Sequence, residues 1–319
     1  MSGPRRARLL AFAKINLDLR ILYRRADNYH ELRTIFQTIS LADRIGVTFT
    51  PSRKTAIQVS GNVAIPDNLM VRAAEGCLDI LRVTGEVEFA LDKRIPMGAG
   101  LGGGSSDAAA VLIALPVLCG KIPGLAALLG LAGELGSDVP FFLLGGSAVA
   151  VGRGTELYPL PDGPPRGGVV VAPAMHISTV EAYRRLSADL TSESQQNKIV
   201  SFQSDAWQEN AGGAGKGVLT SGENDFESVV FTQHPALKSI KRRLNQLGAR
   251  PAMMSGSGCA IFGLFQEREP IRRALQSFRK ERVFPITLVS RAKYRSEWYK
   301  RLRSHTREKQ WPPQSRYAG

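Results

Sequence analysis

The chain has 319 residues, 43% hydrophobic and 22% charged, with a formal net charge of +14 at pH 7. That length suits one large domain or two modest ones with a buried core, and no apolar run approaches the roughly 18 residues needed to span a membrane. The three cysteines, Cys77, Cys119 and Cys259, lie far apart without C-x-x-C or histidine spacing. Neither a disulfide framework nor a zinc site is expected from this odd, scattered set, and a reducing, cytoplasmic setting is.

The N-terminus carries Arg5, Arg6 and Arg8, but the apolar run 9–13 that follows is too short for a signal peptide. Residues 8–23 alternate near a strand period and contain Ala13-Lys14-Ile15-Asn16. Asp27-Asn28-Tyr29-His30 reads as a turn, because asparagine tolerates positive φ. Short strands are expected at 31–40, 44–50 and 56–59, a helix over 68–83 and a strand over 87–91. In Pro66-Asp67-Asn68-Leu69, Asp67 is read as the helix N-cap.

Next comes Pro96-Met97-Gly98-Ala99-Gly100-Leu101-Gly102-Gly103-Gly104-Ser105-Ser106-Asp107, set against a helical run over 108–118. Glycine lets backbone N–H groups approach a ligand with no Cβ in the way. The helix that follows aims its unsatisfied amides and positive dipole end at the same point. Phosphate binds in such a place. Gly98, Gly100 and Gly103 satisfy the dinucleotide fingerprint, yet no carboxylate stands about 20 residues on to hold a ribose. The V-A-I-K, H-R-D and D-F-G segments of protein kinases are missing, and the loop has no Walker lysine. The cradle is of another kind.

A helix over 125–135 and strands over 141–150 and 156–160 follow. The proline- and glycine-rich stretch 161–168 marks a domain boundary. The second half opens with a strand at 169–172, and the polar stretch 187–222 reads as a long loop or a weakly helical lobe. Its Gly212-Gly213-Ala214-Gly215-Lys216-Gly217 is no P-loop, since Ser or Thr does not follow the lysine. A helix over 236–247, a strand over 259–265, a helix over 270–279 and a strand over 284–289 complete an α+β pattern. From Arg291 onward nine basic residues face two acidic ones, a net +7. This tail, ending in Trp311-Pro312-Pro313, reads as a poorly ordered, solvated extension rather than a nucleic-acid contact.

Four segments in order carry a family likeness: Ala13-Lys14-Ile15-Asn16, the glycine-serine loop, Gly136-Ser137-Asp138-Val139-Pro140-Phe141-Phe142, and Met254-Ser255-Gly256-Ser257-Gly258. The chain resembles the GHMP small-molecule kinases over about residues 9–289. Tyr29-His30 and the G-S-D-V-P-F-F form are similar to the branch acting on a cytidine diphosphate-linked methylerythritol, on the non-mevalonate route to isoprenoid precursors. The fold this implies is α+β, with an N-terminal domain like ribosomal protein S5 domain 2 over 1–162 and a ferredoxin-like C-terminal domain over 163–290. The basic extension, 291–319, lies beyond it.

The resemblance implies ATP-dependent phosphorylation of the 2-hydroxyl of the methylerythritol moiety. Asp138 would be the general base and Lys14 its electrostatic partner. The loop from Pro96 to Ser106 would hold ATP, with Asn68 on the adenine side. Asn16 and Thr179 would contact substrate polar groups, and Tyr29, His30 and Tyr183 the cytosine. Mg²⁺ would travel with ATP, approached by Ser105 or Ser106, with no fixed protein ligand set. Departures are small: Asn28 stands where the family has glycine, and Phe12 where it has proline. The competing readings are a GHMP kinase for homoserine or mevalonate, and an idle ATP- or nucleic-acid-binding scaffold.

Overall fold

Two long strands organise the chain. β1, Arg5–Arg24, and β2, His30–Pro51, pair antiparallel along nearly their whole length. The computed structural model describes residues 3–27, 29–188, 222–307 and 309–318. Asn28, most of the expected 187–222 loop and its Gly212–Gly217 run lie outside the described residues.

The two strands expected at 31–40 and 44–50 run as one. Phe12 pairs with Ala42 but Lys14 pairs with Thr38, so the intervening β2 residues form a bulge rather than a turn. β2 also bonds to β4 (Gly85–Asp92) through residues 44–51 and to β5 (Ser147–Gly152) through residues 32–37. β3 (Ala56–Gly61) runs parallel to β4, and β6 (Glu156–Pro159) closes the far edge. Val87, Phe89 and Leu91 of β4 turn inward while Glu86, Glu88 and Ala90 face out, the pattern of a sheet covered on one side.

The covering layer is α1 (Leu69–Leu81), α2 (Gly103–Cys119), α3 (Leu125–Leu135) and α4 (Val139–Leu144). Every residue of α2 from Ser106 to Leu118 is buried, so this helix forms the middle of the core. α4 corrects the strand expected over 141–150. Pro140 presets the first helical turn, and Gly145 and Gly146, both at positive φ, end the helix before β5 begins.

The second sheet has the order β10-β7-β9-β8, from β7 (Gly167–Ala172), β8 (Ala252–Met254), β9 (Ile261–Phe265) and β10 (Arg282–Thr287). Its helices are α5 (Thr179–Ala188), α6 (Phe226–Gln233), α7 (Pro235–Gln246) and α8 (Arg268–Ser277). All three strand pairs are antiparallel, and the order is that of a ferredoxin-like domain. The β1–β2 hairpin serves both cores. Leu9, Ala11, Phe12, Ile45 and Val47 belong to the first, while Ile15, Leu17, Leu19, Ile35 and Ile39 belong to the second. Lys14 stands at the changeover.

The tail is not the disordered extension expected. Residues Arg291–Leu302 form α9, capped by the Ser290 hydroxyl, which accepts from the Lys293 amide. Tyr294, Trp298 and Leu302, four apart, form one buried stripe against the first core. Such side chains contribute about 1.5–3 kcal/mol each on burial, and this packing holds a 12-residue helix that would be marginal alone. Tyr294 Oη donates to the Phe142 carbonyl, Trp311 Nε1 to Leu143 O at 2.9 Å, and Ser315 Oγ to Val117 O at 2.7 Å. The basic composition concealed an apolar stripe at helical spacing. Cys77, Cys119 and Cys259 are all free thiols. Among the described residues no helix is long and apolar enough to cross a membrane.

Candidate active site

Register shifts between Phe12 and Lys14, and between Asn16 and Asp18, bracket a short stretch of β1. Bulges re-aim side chains, and here they leave Lys14 and Asn16 side by side in the interior. Lys14 is 4% exposed, so its ammonium needs partners. Its Nζ donates to Asn16 Oδ1 at 2.7 Å, lies 3.5 Å from Asp138 Oδ2 and stands 5.1 Å from the Phe36 ring centre. Asn16 in turn donates to Thr34 Oγ1 at 2.7 Å. The Lys14 amide donates to Leu101 O at 3.0 Å, strapping the strand to the glycine loop.

Asp138 occupies the N-cap position of α4, but its carboxylate makes no capping bond. It turns to Lys14 instead. The pair is asymmetric: the Lys14 side chain is 5% exposed and that of Asp138 28%. The carboxylate is thus the member open to an incoming hydroxyl.

The glycine loop runs beside this pair. Gly100 has φ +80, and a Cβ there would stand 2.0 Å from Ser255 O. Gly102, at φ +69, begins α2, and a Cβ on it would meet the Phe142 ring at 2.8 Å. Only glycine satisfies both demands. The two serines separate in role. Ser106 is buried and its Oγ donates to Phe12 O at 2.7 Å, whereas half-buried Ser105 has its Oγ 4.0 Å from where a Gly136 Cβ would stand. Pro96, Ala99 and Leu101 are buried, while Met97, Gly98 and Gly104 are exposed. Leu69, at the start of α1, lies against Gly104, which brings neighbouring Asn68 to the same side. Asn68 itself caps α1, accepting from Met70 N at 3.0 Å. This corrects the reading of Asp67 as the cap.

A buried cluster supports the loop from behind. Lys93 Nζ donates to Asp43 Oδ2 and Asp107 Oδ2, both at 2.5 Å, and Asp43 Oδ1 accepts from the amides of Arg94 and Ile95. One ammonium serves two carboxylates. Burial raises the Asp107 carboxyl to about 8, with Lys93 opposing and the Asp43 charge adding to the rise. A Cβ on Gly103 would stand 2.9 Å from Lys93 Nζ, so the cluster reaches the loop directly.

The Met254–Gly258 turn forms the opposite wall. Ser255 Oγ donates to Gly100 O at 2.9 Å, the Ala260 amide to Ala99 O at 3.1 Å, and Ser257 Oγ meets Thr179 Oγ1 at 2.9 Å. Beyond it lies an aromatic stack. His30 and Tyr183 are parallel within 26° at 4.9 Å, and Phe226 meets the Tyr183 ring edge-on at 4.8 Å. Burial, with a smaller push from the Asp138 charge, raises the Tyr183 phenol to about 12. Burial, then the Arg24 charge, lowers His30. Tyr29 is set apart from this stack: it is 55% exposed, with the Arg153 guanidinium 4.6 Å from its ring centre.

The structure therefore brings Lys14, Asn16, Asp138 and the loop from Gly98 to Ser106 to one place. His30, Tyr183 and Thr179 adjoin it, and Tyr29 stands at the rim. Sequence reasoning missed Phe226, Lys93 and Asn224, whose partners are remote in the chain. Among the described residues, no group of three or more His, Cys, Asp or Glu is placed to hold a metal ion.

A glycine cradle at a helix start, facing a Lys–Asp pair across two α+β domains, is the architecture of a small-molecule kinase. Residues 68–146 match the model of the GHMP kinases N terminal domain, and residues 204–282 that of the GHMP kinases C terminal domain. A 4-diphosphocytidyl-2-C-methyl-D-erythritol kinase from Solibacter usitatus is 57% identical, with 99% of each chain covered. One from Moorella thermoacetica is 40% identical over 89% of this chain and 98% of its own. A crystal structure of 4-(cytidine 5'-diphospho)-2C-methyl-D-erythritol kinase superposes with TM-score 0.71 at 39% identity, covering 88% of this chain and 98% of that one. Homoserine kinase from Cytophaga hutchinsonii shares the fold, with TM-score 0.64 at 17% identity over 91% and 96% of the two chains. This chain belongs to the family of 4-diphosphocytidyl-2-C-methyl-D-erythritol kinases.

Proposed function

We propose that the chain transfers the γ-phosphoryl group of ATP to the 2-hydroxyl of 4-diphosphocytidyl-2-C-methyl-D-erythritol, releasing ADP and the 2-phosphate. The observation that carries this reading is the meeting of Lys14 and Asp138, 3.5 Å apart, at the mouth of the glycine loop. Phosphoryl transfer needs positioning, charge neutralisation and an acceptor for the hydroxyl proton. The loop amides and the start of α2 bind the phosphates. The half-buried Asp138 carboxylate takes the proton from the 2-hydroxyl as the hydroxyl oxygen attacks the γ-phosphorus and ADP leaves. The Lys14 ammonium lies 3.5 Å from the Asp138 carboxylate and faces the charge that develops.

Asn16 orients acceptor hydroxyls, and Asn68 lies on the adenine side. The cytosine ring takes the aromatic region of His30 and Tyr183, with Tyr29 closing from the rim and Thr179 adding a polar contact. Base stacking on such rings contributes about 1–3 kcal/mol per base. Mg²⁺ would neutralise the β- and γ-phosphates when bound. Ser105 suits it better than Ser106, whose hydroxyl is committed to Phe12 O, and a metal carried mainly by phosphate oxygens suits a site where no metal-holding group is found among the described residues.

The test is ADP release from Mg-ATP with the cytidine substrate, mevalonate or homoserine offered separately. Turnover with the first alone is expected. Turnover only with another alcohol overturns the substrate assignment, and ATP binding without any turnover overturns the kinase reading.

A further inference from the structure

Asn224 lies two residues before α6, is 4% exposed, and has both amide hydrogens and the amide oxygen engaged. Its Nδ2 donates to Met254 O at 2.9 Å and to Gly256 O at 2.8 Å, while its Oδ1 accepts from the Phe226 amide at 3.0 Å. Its neighbours fix it to β1. The Leu19 amide donates to Glu223 O at 2.7 Å, and the Asp225 amide to Leu19 O at 3.0 Å. The Asn224 amide thus joins the turn facing the glycine loop to the start of the helix whose Phe226 meets Tyr183, while the backbone on either side of it holds to the strand bearing Lys14.

The two carbonyls it holds are in a sensitive place. A Cβ on Gly256 would stand 3.4 Å from Lys14 Nζ, 3.4 Å from Asn16 Oδ1 and 3.4 Å from Gly100 O. The turn backbone is therefore within reach of the ammonium that pairs with Asp138. A released Gly256 carbonyl would be a ready acceptor for that ammonium, drawing it away from the base. It would also present a negative dipole to an incoming phosphate, the reverse of electrostatic preorganisation. Ser255 deals likewise with Gly100 O, donating its hydroxyl to it.

We infer that Asn224 is a positioning residue for phosphoryl transfer: by claiming the Met254 and Gly256 carbonyls it keeps acceptor oxygens off the phosphate side and leaves Lys14 to Asp138. The inference rests on the kinase reading above. Two variants separate the effects. Asn224→Ala removes both donors. Asn224→Asp keeps Oδ1 for the Phe226 amide but sets a carboxylate against two carbonyls, and protonation of that carboxyl restores one donor.

With folding checked by circular dichroism, kcat at saturating ATP should fall about 10- to 100-fold in both variants near pH 8.5, the scale of leaving buried polar groups unpaired. The ratio of Asn224→Asp to wild type should then rise about fivefold or more on going to about pH 6, as one donor returns. The Asn224→Ala ratio should stay flat. Calorimetric Kd for ATP should rise about threefold or more in both variants near pH 8.5, and this readout does not depend on which alcohol is phosphorylated. A wild type that binds ATP without turning over the cytidine substrate defeats the kinase reading, and the Kd measurements still decide the role of Asn224. Folded variants with kcat and Kd within twofold of wild type overturn the inference. So does a pH-flat Asn224→Asp ratio, or loss of folding in both variants, which would make Asn224 a stability residue alone.

Discussion

Replacing Asp138 by Asn and Lys14 by Met, singly and together, measures how far the two act as one device. Two unit charges at their 3.5 Å separation attract by about 5 kcal/mol at an effective dielectric near 20. The 28% exposure of the Asp138 side chain screens that to about 2–3 kcal/mol. Each single variant should lose about 10²–10⁴ in kcat, the usual worth of a positioned proton acceptor. The double variant should lose about 30- to 150-fold less than the product of the single losses, which is the 2–3 kcal/mol coupling expressed as a rate. Methionine keeps the Lys14 stem, which packs 3.1 Å from the position of a Gly102 Cβ, so the cradle is preserved. The assay is coupled ADP release at saturating ATP and acceptor, with thermal unfolding of each variant alongside. Losses that multiply to within about 0.5 kcal/mol of additivity would show two independent groups and refute the paired mechanism. Near-normal turnover in folded Asp138→Asn would remove the base altogether.

Tyr183→Ala should raise KM for the cytidine substrate more than KM for ATP; equal effects in initial-rate kinetics would put Tyr183 outside the base pocket. Ser106→Ala removes the buried hydroxyl that donates to the Phe12 carbonyl and should cost about 1–3 kcal/mol of stability, read by denaturant unfolding, with little change in kcat. Ser105→Ala should do the opposite, raising KM for ATP or lowering kcat with stability unchanged. The Asp107 carboxyl, raised to about 8 in the folded protein against 3.8 in its unperturbed state, adds stability that is complete at low pH and is lost as pH rises through about 8. Tm of Asp107→Asn relative to wild type should therefore climb between about pH 5 and pH 9, and a constant difference would show that Asp107 does not carry that proton.

Much of the site was legible because its residues lie in short, chemically marked segments. The loop from Pro96 to Ser106 announces itself through glycines before a helix, and Lys14 and Asp138 sit inside recognisable words. What the sequence withheld depends on distant contacts. Phe141-Phe142-Leu143-Leu144 is an apolar run without a period, and only Pro140 before it and the two glycines after it decide for a helix. Asn224 looks like any loop asparagine until the chain folds its partners, 30 and 32 positions on, back to it. The sequence names Tyr29, His30 and Tyr183 alike as rings for the base, but not that His30 is the one that stacks on Tyr183 while Tyr29 lies at the rim beside Arg153. The tail was misjudged because charge outweighed period: Tyr294, Trp298 and Leu302 were readable as a helical stripe.

The route of the chain, from first domain to second and back, has a consequence for biosynthesis. Phe142 and Tyr294 are bonded across 152 positions, and Trp311 meets Leu143 across 168. A nascent chain that has emerged only as far as β6 therefore has the sheet and central helix of its first domain but leaves one flank of that core open to water. The flank closes only when translation has delivered the entire second domain and α9 after it. Domains of most proteins mature one at a time from the N-terminus. This one must hold an unfinished first domain while the second is made, and that waiting interval is where chaperone contact or aggregation would act on it.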